Sequence, residues 1–98
     1  MAINNLEPES LGKASVMLKA LAHPVRISIV SCLGQGGNKT VTQIHREIGI
    51  EQAAASHHLG ILKDKGVLGS RREGKNTYYF LRNDKLTLLL DCVGECCK

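Results

Sequence analysis

Four cysteines are the most reactive residues of this 98-residue chain, and three of them lie within its last seven residues. Cys92 and Cys96 are four residues apart, which places both thiols on one face of a helix, and Cys97 lies about 100° further round. Three thiolates suit a soft ion such as arsenite, or zinc or cadmium with one further ligand. The triplet predicts either a site for a thiophilic metal or metalloid or a C-terminal tail without a ligand.

Cys32 permits a redox alternative. A redox or sulfide switch would pair Cys32 with Cys92, and it requires exposed thiols of low pKa. The competing interpretation is that Cys32, which lies in an apolar segment, is a small buried hydrophobic residue. Three crowded cysteines are also a poor disulfide framework, so we expect a reducing, cytoplasmic environment.

A second group of side chains has the chemistry to read DNA. In residues 51–65, Ala55, Leu59 and Leu62 recur at helical spacing and predict a buried face. On the opposite face, Gln can bond an adenine edge, Ser and His can reach bases or phosphates, and Ala can touch a thymine methyl group. The alternative is an Ala-rich helix that only packs. The candidate base-reading residues are Gln52, Ala53, Ser56 and His57.

The positive charge of the chain follows directly after this helix. Residues 60–85 contain seven Lys and Arg against three Asp and Glu, a net charge of +4 that equals the charge of the whole chain. A basic hairpin there can straddle a phosphate backbone or enter the minor groove. The candidate phosphate contacts are Lys63, Arg71, Arg72, Lys75 and Asn76.

Apolar spacing and Gly/Pro punctuation predict the elements that would position these groups. The first helix covers about 9–22, and the second begins at Pro24 and ends at a Gly/Asn cluster. Residues 40–42 form a short extended bridge, with a Thr that caps a third helix ending at Gly49.

The fourth helix, over about 51–65, leads into two strands at 67–72 and 77–82. A last helix, capped by Asn83 or Asp84, runs into the cysteines. The fold class is therefore mainly α with a small β-hairpin, a winged helix-turn-helix in the order α-α-α-α-β-β-α. We expect one domain over 1–98, with a flexible N-terminus over about 1–8.

The last helix is too apolar to end a monomer. One of its faces packs on the chain's own core, and the rest, with the first helix, predicts a homodimer. Two-fold symmetry would then place two recognition helices in successive major grooves, about 34 Å apart. The predicted interface residues are Leu11, Met17, Leu18, Leu86, Leu89, Leu90 and Val93.

Composition narrows the function classes. Hydrophobic residues make up 43% and charged residues 22%, as in ordinary globular chains. No apolar stretch approaches the roughly 20 residues that cross a bilayer, and residues 1–10 show no secretory signal, so we expect a cytoplasmic protein without membrane contact. No paired carboxylates, nucleophile–base pair or phosphate-binding Gly loop predicts an enzyme.

Several segments resemble the ArsR/SmtB family of winged-helix repressors. They are Leu18–Arg26 before an Ile/Val-rich helix, Gln52–Leu62, and the 66–68, 71–74 and 78–81 segments. The resemblance spans about 15–90 and implies a homodimeric transcriptional repressor that leaves its double-stranded DNA operator when an inducer binds. By position, it implies that Gln52, Ala53, Ser56, His57 and His58 face DNA.

Four departures from the family pattern bear on function. Glu51 stands where many relatives have a Ser cap, and Ala53 replaces a common Ser. The family's Cys-x-Cys near the start of the third helix is absent, and the last helix has no His for the Asp/His zinc pairs. The inducer therefore stays open, and the rival function is a thiol-rich metal-binding or protein-interaction module that does not bind DNA.

Overall fold

A computed structural model of the chain describes residues 7–98, which form five helices and a small three-stranded antiparallel sheet. The element order confirms the winged helix-turn-helix prediction and adds one short strand. The elements are α1 (Pro8–Leu21), α2 (Pro24–Gly34), β1 (Lys39–Thr40), α3 (Val41–Ile48), α4 (Gln52–Asp64), β2 (Leu68–Glu73), β3 (Asn76–Leu81) and α5 (Leu86–Cys96). The N-terminal segment expected to be flexible lies outside the described residues over 1–6, and Pro8 is already helical.

Thr40 sets the start of α3 with a reciprocal cap. The Gln43 N–H donates to Thr40 Oγ1 at 3.2 Å, and the Thr40 N–H donates to Gln43 Oε1 at 2.9 Å. The prediction of an extended bridge over 40–42 is wrong at its second half, because this cap makes Val41 and Thr42 helical. Strand β1 instead covers Lys39 and Thr40, which pair with β3.

The helix-turn-helix is closed by Gly49. Its φ of 73° and ψ of 39° are left-handed, which Gly adopts without steric cost, and its N–H donates to the His45 carbonyl at 3.0 Å. His45 Nδ1 donates to the Ile50 carbonyl at 3.1 Å, so this half-buried ring also holds the turn. Three residues thus separate α3 from α4.

The β2–β3 hairpin, called the wing below, turns at Gly74 and Lys75. Glu73 lies opposite Asn76 at the end of the register, and Gly74 has a φ of 60°. A positive φ at the first of two turn residues is the requirement of a type II′ hairpin. Asn76 has no positive φ and begins β3.

The core is aliphatic and is centred on α2. Ile29 and Val30 of α2 have no exposed surface, and they pack in one cluster with side chains from every neighbouring element. The other fully buried large side chains are Ile44, Leu59, Leu62, Leu68 and Val67. Removing these apolar side chains from water holds α3, α4 and the wing at fixed positions around α2.

Helix α5 lies on this core without contributing a buried residue. It begins after Lys85, so the prediction that Asn83 or Asp84 caps it is wrong: Asn83 Oδ1 accepts the Lys85 N–H at 2.9 Å in a turn that precedes the helix. Contact with α2 is possible because Gly34 has no side chain, since a Cβ there would overlap the Thr87 methyl group.

No single helix within residues 7–98 is long and apolar enough to cross a membrane. By length and composition alone, α1 and α2 pass the same test together, but they meet at a bend of 98°.

Candidate nucleic-acid interface

Helix α4 has one buried face and one open face, as predicted. Ala55, Leu59 and Leu62 have no exposed surface and anchor the helix on α2, α3 and the start of the wing. The opposite side carries small and polar groups that are all exposed to solvent. They are Gln52, Ala53, Ser56, His57 and, in the last turn, Lys63.

The start of α4 has no side-chain cap. Glu51 is the N-cap residue, and its carboxylate makes no capping hydrogen bond. Its charge favours the positive end of the helix dipole but opposes a phosphate placed there. A DNA phosphate that binds the backbone amides at this end must therefore avoid the Glu51 carboxylate.

His58 is directed differently from its neighbour His57. Its ring is half-buried, and its Nδ1 accepts a 3.1 Å hydrogen bond from Arg26 Nε on α2. The ring also lies against His23, with 4.6 Å between centroids, and His23 Nδ1 in turn accepts the Val25 N–H at the start of α2. Nδ1 of His58 is thus engaged within the protein and is not free for DNA.

The surroundings of His58 favour its neutral form. Partial burial lowers the pKa of His58 below 6.5, and the positive charges of His23, Arg26 and His57 lower it further. At neutral pH, His58 therefore adds no charge to the open face of α4.

The wing presents its cations to solvent. Arg71, Arg72, Lys75 and Asn76 are all exposed. Arg71 Nη2 pairs with Glu73 Oε1 at 3.1 Å, a surface ion pair that phosphate can displace at little cost. Among residues 7–98, no acidic side chain pairs with Arg72 or Lys75, so both are the stronger candidates for phosphate.

The aromatic residues build the wing. Tyr79 packs against the core, while Phe80, on the other face, covers Gly69 so closely that an added Cβ would lie 2.6 Å from its ring. These two rings pack the hairpin against the core and against Gly69.

The residues predicted for a dimer fall into two groups. Met17, Leu86 and Leu90 are half-buried and pack against the core of their own protomer, and their assignment to an interface stays a prediction. The others are exposed: Leu11, Leu18, Leu89 and Val93. Three further apolar residues that the predicted interface does not include are exposed, Val16, Ile27 and Leu88, the last of which is 66% exposed.

The C-terminal thiols are open to solvent but do not form a preformed site. Cys92, Cys96 and Cys97 are free and exposed on the last turns of α5. Within residues 7–98, no three His, Cys, Asp or Glu side chains are grouped closely enough to hold a metal ion. A metal would have to draw these thiols together.

Cys32 is buried as expected, but it is not a plain hydrophobic residue. Its Sγ donates to Glu47 Oε2 at 2.7 Å, and Lys39 Nζ lies 2.7 Å from the same carboxylate oxygen and 3.6 Å from the sulfur. Burial raises the pKa of Cys32, and the hydrogen bond to Glu47 adds to this effect. Cys32 therefore lacks the low pKa that a redox switch requires.

Two contacts could not be read from the sequence. Arg26 reaches His58 across 32 positions, and Lys39 reaches Glu47 only because β1 turns directly into α3. For the contact between Arg26 and His58, the sequence shows only that Arg26 and His23, which both lie against His58, are three residues apart at the start of a helix and so face the same side.

Comparison with known proteins places these features in a family. Residues 21–71 match a family model described as a helix-turn-helix domain. The biofilm growth-associated repressor of Agrobacterium fabrum is 33% identical, over 83% of this chain and 68% of the repressor. The cadmium resistance transcriptional regulatory protein of Listeria innocua is 36% identical, over 79% of this chain and 65% of that protein.

A solved structure shows the same fold. It is the homodimeric winged helix-turn-helix DNA-binding domain of a possible ArsR-family transcriptional regulator from Mycobacterium bovis, 30% identical to this chain. The alignment covers 93% of this chain and 86% of the other, with a TM-score of 0.81.

Proposed function

This chain belongs to the ArsR-type helix-turn-helix family of transcriptional regulators, and from this we propose that it is a cytoplasmic homodimeric repressor that binds operator DNA through α4 and the wing. The observation that carries the proposal is the division of α4 into a fully buried face and a fully open one. The open face offers hydrogen-bonding and small groups of the size that enters a major groove.

The wing supplies the sequence-independent part of binding. Arg72 and Lys75 would contact phosphates on one side of the groove that α4 enters, and Arg71 would exchange Glu73 for phosphate. Gln52 and Ser56 would read base edges from the first turns of α4. Ala53 replaces a residue that is commonly Ser, so this helix has one hydroxyl group fewer for hydrogen bonds to DNA.

The proposed dimer interface is the apolar surface of α1 and α5. Leu11 and Leu18 on one helix and Leu88, Leu89 and Val93 on the other are exposed to solvent, and large exposed apolar side chains on neighbouring turns are typical of an interaction surface. A two-fold partner would cover them and would repeat α4 one turn of DNA away. The homodimeric relative from Mycobacterium bovis supports this arrangement.

An equilibrium titration tests the DNA function. A labelled duplex from the gene's own upstream region is titrated with protein between 50 and 200 mM salt, beside a scrambled duplex of equal length. For 6–10 phosphate contacts, affinity should fall by roughly 10³–10⁵ over this range. Undetectable or salt-insensitive binding to every duplex would contradict the proposal and favour the thiol-rich interaction module.

Matched variants assign the contacts. Lys75→Ala should weaken binding to both duplexes and reduce the salt slope by about 1.8, since the dimer loses one phosphate contact per protomer, whereas Lys98→Ala removes the same charge from the end of α5 and should change neither. Gln52→Ala should weaken binding to the operator alone, and the binding free energy should fall by about 1–3 kcal/mol for each bidentate contact to adenine that is lost. A loss of equal size on the scrambled duplex would remove Gln52 from base reading.

The inducer in this proposal is a thiophilic ion or a thiol-reactive compound that acts on the end of α5. Its support is the exposure of Cys92, Cys96 and Cys97 beside the apolar face of α5, together with the cadmium resistance relative. Cadmium, arsenite, zinc, peroxide and persulfide are added in turn to the operator complex.

Variant proteins separate the inducer classes. Changing the three C-terminal cysteines to Ser should abolish release while leaving binding of the untreated protein intact. Mass spectrometry of the treated wild type then looks for a Cys32–Cys92 disulfide after oxidation. Release that persists in the triple Ser variant would place the sensor elsewhere.

A further inference from the structure

Arg26 lies outside the proposed DNA interface, yet it joins three helices at the recognition helix. Its Nε donates to His58 Nδ1 on α4 at 3.1 Å, and its Nη1 donates to the carbonyl of Ala20 on α1 at 3.2 Å. Arg26 itself is half-buried on α2. One guanidinium therefore ties α1, α2 and α4 together, and His58 is its only contact on α4 among these bonds.

This contact fixes the tautomer of His58. A guanidinium keeps its protons at every working pH, so Nδ1 must be the acceptor and neutral His58 carries its proton on Nε2. Protonation of Nδ1 would break the bond and place a cation against Arg26 and His23, with Lys19 and Lys65 lining the cavity beside Arg26. The hydrogen bond between Arg26 on α2 and His58 on α4 thus requires a neutral His58 ring.

We propose that Arg26 and His58 are positioning residues, which hold the recognition helix at the angle that operator DNA requires, and that His58 acts through Arg26 and not by touching DNA. The inference rests on the proposed DNA function. It differs from the expectation carried by the family resemblance, in which His58 faces the duplex, because His58 Nδ1 is already bound to Arg26 within the protein.

Two variants of His58 distinguish positioning from direct contact. In His58→Asn, the side-chain oxygen takes the approximate place of Nδ1 and can still accept from Arg26, whereas His58→Leu has no acceptor. We expect His58→Leu to lose about tenfold in operator affinity and His58→Asn to retain most of it, with the affinity for a scrambled duplex unchanged in both. A direct contact through Nε2 would instead be lost equally in both variants, and that result overturns the inference.

Arg26→Gln adds a charge-sensitive readout. If Arg26 positions α4, operator affinity falls while the slope of log affinity against log salt stays that of the wild type. If Arg26 binds phosphate, the slope falls by about 1.8 for the two protomers of the dimer, which also overturns the inference. Circular dichroism melting confirms that each variant is folded at the assay temperature.

A measurement without DNA separates this inference from the proposed function. In the free wild-type protein, ¹⁵N NMR should show His58 with a bare Nδ1 and a protonated Nε2, and Arg26 Nε–H protected from exchange. A wild type that binds no duplex would overturn the proposed function and the positioning role with it, whereas a wild type that binds, but with His58 in the other tautomer, would overturn the positioning role alone.

Discussion

Two charged residues act in opposite directions on the Cys32 thiol. The Cys32 thiol donates a hydrogen bond of 2.7 Å to the Glu47 carboxylate, which raises the pKa of Cys32. Lys39 Nζ, 3.6 Å from the sulfur, lowers it. Burial also raises it, so the thiol form prevails. Cys32 is thereby set apart from the three exposed cysteines of the same chain, although the residue type is identical.

Alkylation rates should show this difference. With iodoacetamide at pH 8, the three C-terminal thiols should react first and Cys32 last, followed by mass spectrometry of peptides. Glu47→Ala should speed the labelling of Cys32, because Lys39 then faces the thiol alone, and Lys39→Ala should slow it. Equal rates for Cys32 in these two variants would show that burial alone protects it.

The pKa of His58 makes folding stability depend on pH. The folded chain holds this pKa below 6.5, so as the pH falls the unfolded chain takes up a proton first. The stability linked to His58 is therefore full above pH 6.5 and is lost as the pH falls toward the folded pKa.

Urea unfolding between pH 7.5 and 5 checks this sign. The free energy of unfolding should decline over the range in the wild type and in His57→Asn, whose ring is exposed, but less steeply in His58→Asn. A decline of the same steepness in His58→Asn would assign the effect to other groups.

At the scale of elements, the sequence predicted the features that depend on residues close together in the chain. The buried face of α4 follows from the spacing of Ala55, Leu59 and Leu62, and the hairpin follows from a Gly between two strand-forming segments. The pairing of β1 with β3 was missed, because two residues carry no periodicity and their partner is almost forty positions away. The cap of α5 was also misplaced, because Asn83 bonds the Lys85 N–H in a turn before the helix.

The α2–α5 contact depends on one glycine. Thr87 lies over Gly34, and its methyl group is held in place because Thr87 Oγ1 donates to the Asp84 carbonyl at 2.7 Å. A side chain at position 34 must therefore push α5 outward.

Gly34→Ala should lower stability by about 1–3 kcal/mol through overpacking, measured as a fall in Tm. Thr87→Ser, which removes only the methyl group, should restore most of the loss in the double variant. Gly12→Ala on α1 is the control, since nothing lies within 4 Å of its added Cβ and the helix should gain stability. If both Ala variants are stabilised, the contact is not tight.

For the whole molecule, the exposed large apolar residues lie on α1, α2 and α5, whereas α4 and the wing carry four exposed cations, Lys63, Arg71, Arg72 and Lys75. These two surfaces suit two different partners, a second copy and a polyanion. The sequence predicted both partners from the position of its charges and from its apolar last helix, but only the fold shows that Met17, Leu86 and Leu90 pack on the protomer's own core.

Leu88→Glu should convert the dimer to a monomer, since a charge in the centre of a dry interface has no partner. Sedimentation equilibrium measures the mass, and operator affinity should fall by a factor of about 10²–10⁴ as two-site binding is lost. Thr42→Glu, an exposed change on α3 away from this surface, should leave the mass unchanged. A dimeric Leu88→Glu protein would move the interface elsewhere.

The lack of any buried residue in α5 has a consequence for how the regulator responds to its own abundance. An isolated helix of 11 residues is shorter than the about 12–15 that persist in water, so α5 gains its order from α2 and from a partner copy. Folding of α5 and pairing of protomers then share one mass-action equilibrium. If the chain dimerises as proposed, dilution of the protein would fray α5 and weaken DNA binding without any chemical signal.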